Sequence, residues 1–266
     1  MANTGRTLRV RSIDGNTENQ AKLIISNLKL IITTEITGYT CQYIYGDTSH
    51  DLNYESIVVP TYKLNVEKDG KIIASYNVTR DSWYCRGVLT NNWGWDDDDI
   101  ELANRCFEPA DGNINLYSTV GTAYPPGAGV DALALRQNKS EELAAVPHTK
   151  RMQTVVNGHP IDDARKNLSI ATGVMIHIGG WYNKGSKNKL GGSYGCFGLI
   201  PSAQINKTKV EAEKVRTGKS YKDYEPSNKP YKAAFEYITK HAGGKNIHVI
   251  IQKRSNVEQL RTLKNQ

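Results

Sequence analysis

Apolar and polar residues alternate along much of this chain, and that period of two is the mark of half-buried strands. The alternation runs through residues 22–32 and 40–45, inside an Ile-, Thr- and Tyr-rich stretch at 7–56 with polar turns at Asp14-Gly15-Asn16 and at 47–53. Several strands are predicted there. The clearest element comes next. Two alternating runs, 61–67 and 72–79, are joined by Lys68-Asp69-Gly70-Lys71. An Asp-Gly pair between such runs predicts a hairpin, because its tight turn needs positive φ and glycine supplies it without steric cost.

Residues 81–170 break the pattern. Trp93-Gly94-Trp95, the acidic run 96–99 and Tyr124-Pro125-Pro126-Gly127-Ala128-Gly129 read as a loop-rich elaboration. From about Ala171 order returns. Residues 173–178 predict a buried strand ending at Gly179-Gly180, followed by a polar loop at 183–192. A helix is predicted near 202–216 and another at 231–241, where Tyr231, Ala234, Phe235, Ile238 and Ala242 share one face. Pro230 suits its first turn and Gly243-Gly244 its end. Residues 246–252 predict a closing strand, and the polar tail 254–266 a short surface helix.

Composition adds limits. The chain has 266 residues, 38% of them hydrophobic, enough for one large domain. No apolar run approaches the roughly 20 residues of a membrane span, so no membrane insertion is expected. The start Met1-Ala2-Asn3-Thr4-Gly5-Arg6 lacks the pattern of a cleaved signal peptide. A net charge of +7 concentrates anionic partners, but the basic residues form no single block; Lys184, Lys187 and Lys189 are the densest group. Of the four cysteines, Cys85 and Cys106 could be bridged in an oxidising compartment, and no C-x-x-C pair suggests zinc.

The chemistry concentrates near Cys196. A cysteine nucleophile needs thiolate character, a base, and amide donors for the oxyanion. Cys196 lies between Gly195 and Gly198 in Ser193-Tyr194-Gly195-Cys196-Phe197-Gly198, and His177 stands at the end of a predicted strand. A lone buried cysteine is ordinarily a small hydrophobe, so the pair alone decides little. Other constellations are set aside. Thr217-Gly218-Lys219-Ser220 has no P-loop glycine before it, since Glu213 stands there. His148, His159, Asp162 and Asp163 lack zinc-ligand spacing, and Asp96 to Asp99 lacks the glycine of a calcium loop.

The spacing goes further. His177, fifteen intervening residues, then Ser193-Tyr194-Gly195-Cys196 and a hydrophobe resembles the L,D-transpeptidase (YkuD-type) domain, whose pattern is His, 14 to 17 residues, then Ser/Thr-His-Gly-Cys-hydrophobe-Asn/Arg. The hairpin at 62–78 and the strand at 247–252 also match, so the resemblance spans about 60–254. Two positions depart from the pattern: Tyr194 replaces the second His, and Gly198 replaces Asn/Arg. Relaxed Ser-x-Gly-Cys motifs are similar to those of antibacterial secretion-system effectors.

The resemblance implies that Cys196 is the nucleophile and His177 its base, and that the amides of Tyr194, Gly195 and Cys196 form the oxyanion hole. Ser193 would brace the loop, and a carbonyl just after His177 would orient the imidazole. Trp181, Tyr182, Gly179 and Arg80 are the candidate substrate-binding residues. Trp181 and Tyr182 are equally readable as packing residues, and Arg80 is a candidate because guanidinium pairs well with carboxylates.

The fold expected is mainly β with a few helices, an L,D-transpeptidase-like sandwich or barrel. Residues 1–56 would form a β-rich N-terminal segment and 57–266 the catalytic domain, with a long insertion at 81–170. The activity expected is cysteine-dependent acyl transfer on peptidoglycan stem peptides, by transpeptidation, D-amino-acid exchange or L,D-carboxypeptidase hydrolysis. No cofactor, no metal and no nucleic-acid partner is expected. An effector exported by a leaderless route, active in the periplasm or cell wall and held by a cognate immunity protein, fits this reading. The alternative is a non-catalytic wall-binding module, or a phage or secretion structural component.

Overall fold

The computed structural model describes residues 25–43, 56–86, 101–106, 109, 114–124, 130–137, 142–144, 155–156, 159–160, 170–193, 195–217, 224–254 and 261–262. It is mainly β. Eight strands carry the core: β1 (Ile25–Tyr43), β2 (Ser56–Lys68), β3 (Lys71–Thr79), β4 (Ile114–Tyr124), β5 (Val130–Arg136), β6 (Met175–Ile178), β7 (Phe197–Ile200) and β8 (Asn246–Ile251). Their pairings close in the order β1-β8-β4-β5-β6-β7-β3-β2, a barrel of mixed direction. The pairs β1/β8 and β6/β7 are parallel and the others antiparallel.

The period-two pattern explains the core. Leu28, Leu30 and Ile32 of β1, Leu64 and Val66 of β2, Ile176 of β6, Phe197 of β7, and Ile247, Val249 and Ile251 of β8 are fully buried in one apolar cluster. At about 25 cal/mol per Å² of apolar surface removed from water, such side chains supply most of the drive to close the ring. The hairpin forms as its Asp-Gly turn predicts, with Asp69 at φ 51° and Gly70 at φ 76°.

Helix α1 (Lys209–Thr217) lies outside the barrel, where Ala212 packs with Cys41 and Val58. It starts later than predicted because Thr208 and Glu211 form a capping box: each side chain takes the other's backbone N–H at 3.1 Å. Helix α2 (Asn228–Ala242) buries Tyr231, Ala234, Ile238 and Ala242, as the i, i+3, i+4 spacing predicts. Gly243 closes it at φ 61°, ψ 39°. No helix among the described residues is long and apolar enough to cross a membrane.

Several expectations need correction. Strand β1 pairs along its length with β2 and runs parallel to β8, so a boundary at 56/57 would cut through the barrel. The segment 81–170 is no simple insertion either, since it contributes β4 and β5 to the ring. Two of its strands, Asp81–Arg86 and Glu101–Cys106, form a ribbon with Arg261–Thr262, a strand where a tail helix was expected. In that ribbon Cys106 faces Asp81 and Cys85 faces Leu102. Four residues of offset put the two cysteines roughly 13 Å apart along the strands, well beyond the roughly 7 Å a disulfide spans. The strands expected before Ile25, and the motifs at 96–99 and 218–220, lie outside the described residues.

Candidate active site

The parallel pair β6/β7 positions the site. Its register sets Ile176 beside Phe197 and His177 beside Gly198. Ile176 and Phe197 point into the core, so strand alternation turns His177, Cys196 and Gly198 to the outer face. His177 and Cys196 are therefore diagonal neighbours on one face, a relationship that spans about 7–8 Å between backbones. After His177 the chain forms a two-stranded ribbon, Trp181–Lys184 paired to Lys187–Leu190, and its return, Gly191, Gly192 and Ser193, lines the outer face beside His177.

Close backbone packing holds this return down. The N–H of Gly191 donates to the carbonyl of Gly180 at 2.7 Å, and that of Tyr43 to the carbonyl of Gly191 at 2.9 Å. A Cβ on Gly192 would stand 2.6 Å from the Tyr43 carbonyl oxygen, so no other residue fits. Gly198 is under the same constraint: its Cβ would lie 2.8 Å from Thr79 Oγ1 and 3.3 Å from the Gly179 Cα. That crowding explains why glycine occupies the position where the resembling motif carries Asn or Arg.

The foot of the ribbon is fixed by Gln204, a residue the sequence reading missed. Its side-chain amide acts like a neighbouring strand, accepting the Trp181 N–H at 2.7 Å and donating to the Trp181 carbonyl at 3.1 Å. The same nitrogen reaches the Glu225 carbonyl at 2.9 Å, and Thr40 donates to the Gln204 carbonyl at 3.0 Å. A lone glutamine after Pro201 carries no sequence pattern that would have singled it out.

The two candidate groups are deeply placed. His177 is 3% and Cys196 7% exposed. His177 Nδ1 lies 2.6 Å from the carbonyl oxygen of Ile178, the residue just after it. A carbonyl can only accept, so Nδ1 carries the proton and Nε2 is the basic atom. Burial pulls the imidazole down to about 4, against a smaller opposing effect of the Ile178 bond. Burial likewise pushes the Cys196 thiol up to about 11, partly offset by the Met175 backbone. The thiol donates to the Gly173 carbonyl at 3.7 Å. The resting pair is neutral.

Ser193 braces the loop that carries Cys196: its Oγ accepts the Gly195 N–H at 3.1 Å and donates to the Cys196 carbonyl at 3.0 Å. Gly195 sits at φ 116°, a conformation side chains rarely adopt, which accounts for glycine there. Its amide, expected to face an oxyanion, is bonded to Ser193 in this state. Tyr194 lies outside the described residues. Gly179 lines a small recess with His177, Cys41, Gln42, Thr79 and Ser193. Tyr182 packs against the barrel's apolar cluster, while Trp181 is half-buried at the ribbon's foot.

Arg80 does not belong to the site. It is fully buried and donates to the backbone carbonyls of Thr33 at 2.9 Å and Gln252 at 2.8 Å. Beside it Arg254 forms a buried ion pair with Asp81, at 3.1 and 2.9 Å to its two oxygens, and both guanidinium groups stand over the Tyr62 ring. Arg80 ties β1 to the end of β8, and no substrate carboxylate can reach it. Among the described residues no three His, Cys, Asp or Glu side chains gather as a metal site. Compared with family models, with curated proteins and with solved structures, the chain matches none.

Proposed function

We propose that this chain is a cysteine-dependent acyl transferase of L,D-transpeptidase-like fold, acting on peptidoglycan stem peptides. One observation carries the reading: His177 and Cys196 sit diagonally on one covered face of adjacent parallel strands, with the imidazole held by the carbonyl of the next residue. Diagonal neighbours of this kind can come within the hydrogen-bond reach that a base and its nucleophile need, once the thiol leaves the Gly173 carbonyl it faces at rest. In the reaction, the thiol turns from the Gly173 carbonyl towards the imidazole and gives its proton to Nε2. Sulfur attacks the stem-peptide carbonyl, the oxyanion collapses, and the C–N bond breaks. The departing D-amino acid takes the proton from the imidazolium, leaving a thioester on Cys196. Water or an amine then resolves the thioester by the reverse proton path.

Because the resting thiol and imidazole are neutral, substrate must open the cover and supply the first push towards the thiolate–imidazolium pair. The relaxed Ser-x-Gly-Cys motif supports delivery as an antibacterial effector acting in the periplasm, with a cognate immunity protein that blocks the groove.

The test is incubation with purified disaccharide-tetrapeptide, read by mass spectrometry. Loss of the terminal D-residue, and an acyl adduct on Cys196 that Cys196→Ala abolishes, are expected. No adduct and no product would end the catalytic reading. The deep burial of both groups favours a second one, a non-catalytic wall-binding module. That module would bind sacculi equally well with and without the thiol.

A further inference from the structure

Next to His177 the outer face holds a small recess of about 10 Å³, close to the least space that accommodates one water. Gln42 lines it together with Thr79, His177 and Ser193. Gln42 is 3% exposed, and its amide oxygen has no hydrogen-bond partner among the described residues. Buried polar atoms are nearly always satisfied, so an acceptor left open beside a candidate base calls for a ligand with a hydrogen to give. The walls cannot widen easily. Gly192 is pressed against Tyr43 and Gly198 against Thr79 and Gly179, and Thr79 Oγ1 is held by the Gly198 N–H at 3.2 Å.

We propose that this recess seats the hydrolytic water of the acyl-enzyme and that Gln42 positions it, so that the thioester is resolved by hydrolysis and not by a second stem peptide. The inference rests on the catalytic reading above and deepens it.

The chemistry follows from hydrogen-bonding capacity. An amide oxygen only accepts, and His177 Nε2 also accepts because Nδ1 donates to Ile178. A water between them gives one hydrogen to each and turns a lone pair outward. As its oxygen bonds to the thioester carbon, its proton passes to Nε2 and the carbonyl electron pair moves onto the oxyanion. When that oxyanion collapses, the C–S bond breaks. The thiolate recovers the proton from the imidazolium, and a free carboxylic acid leaves. A peptide amine carries the same two hydrogens but also a substituted carbon, for which the recess has no room.

Two measurements test this. The first needs no turnover: the His177 imidazole is titrated by NMR in the wild type and in Gln42→Glu. A carboxylate facing the ring raises its pKa by a pH unit or more. An unchanged titration in a folded Gln42→Glu protein overturns the proposal. The second uses disaccharide-tetrapeptide in ¹⁸O-water with excess glycine as competing amine. The wild type should yield tripeptide carrying one ¹⁸O. Gln42→Leu, of similar bulk, should form the Cys196 adduct at the wild-type single-turnover rate but clear it about tenfold more slowly, the effect of one lost hydrogen bond. A glycine-exchanged product dominating in the wild type, or undiminished clearance in Gln42→Leu, overturns the inference and leaves the catalytic reading standing. If no Cys196 adduct forms at all, both readings fall together.

Discussion

The ring nitrogen Nδ1 of His177 and the carbonyl oxygen of Ile178 lie 2.6 Å apart. The backbone of the next residue thus orients the imidazole and fixes the proton on Nδ1. The same burial that protects this bond keeps Cys196 protonated, with the thiol near 11. Iodoacetamide should therefore alkylate Cys196 slowly in the resting protein. At pH 7.5 a thiol near 11 leaves roughly one molecule in 3,000 as thiolate. The rate should climb about tenfold per pH unit between pH 7 and 10. Cys41, pushed to about 12, should lag behind it throughout. Mass-resolved labelling across pH checks this, and fast labelling of Cys196 at pH 7 would mean that the cover is open at rest.

Arg80 gives a prediction that separates stability from binding. Arg80→Met removes the donors to the Thr33 and Gln252 carbonyls, and one buried and one part-buried acceptor left open cost on the order of 2 kcal/mol. The urea midpoint should drop accordingly, while KM for any stem-peptide substrate stays within about twofold. A raised KM with unchanged stability would return Arg80 to the substrate groove.

Much of the scaffold was legible because its signals are local. The Asp69-Gly70 turn, the apolar face of Tyr231, Ala234 and Ile238, and the alternation of Ile247, Val249 and Ile251 each specify an element within a few residues. What escaped was nonlocal. Strands β4 and β5 pair inside a stretch whose Tyr124-Pro125-Pro126-Gly127 signal reads as loop, and only the ring makes them central. The closure of β1 on β8 joins residues more than 200 positions apart, as in Ile25 with Asn246. Within the candidate site, the His177 and Cys196 spacing was readable from the motif. The reasons for Gly198, the anchoring by Gln204 and the open acceptor of Gln42 depend on contacts between distant segments, which no local pattern encodes.

Gln204 offers the sharpest test of how the cover is held. Gln204→Leu keeps the bulk but removes the bonds to both backbone groups of Trp181. Hydrogen exchange at the Trp181 amide should speed up at least tenfold, since a buried amide loses its acceptor. The β8 amides, on the far side of the core, should keep their protection. Uniform loss of protection would show that the glutamine supports the whole barrel and not the ribbon.

The last prediction concerns acid. In the folded chain burial holds His177 at about 4, whereas in the unfolded chain it returns to about 6.5. Between those values the unfolded state binds more protons than the folded one, so stability rises with pH across that window. The contribution is fully present above about pH 6.5 and is lost as pH falls through about 4. A displacement of this size corresponds to on the order of 3 kcal/mol. Urea unfolding at pH 7.5, 5.5 and 4.5 should thus show a steep acid loss in the wild type. His177→Gln, which cannot gain a proton, should lose less by most of that amount, although it is the less stable protein at pH 7.5 if its amide fits the Ile178 carbonyl poorly. Carboxylates titrating in the same range act on both proteins and cancel in the difference. Parallel acid slopes for the two would mean that the imidazole is solvated in the folded state, and the site would then be open without substrate.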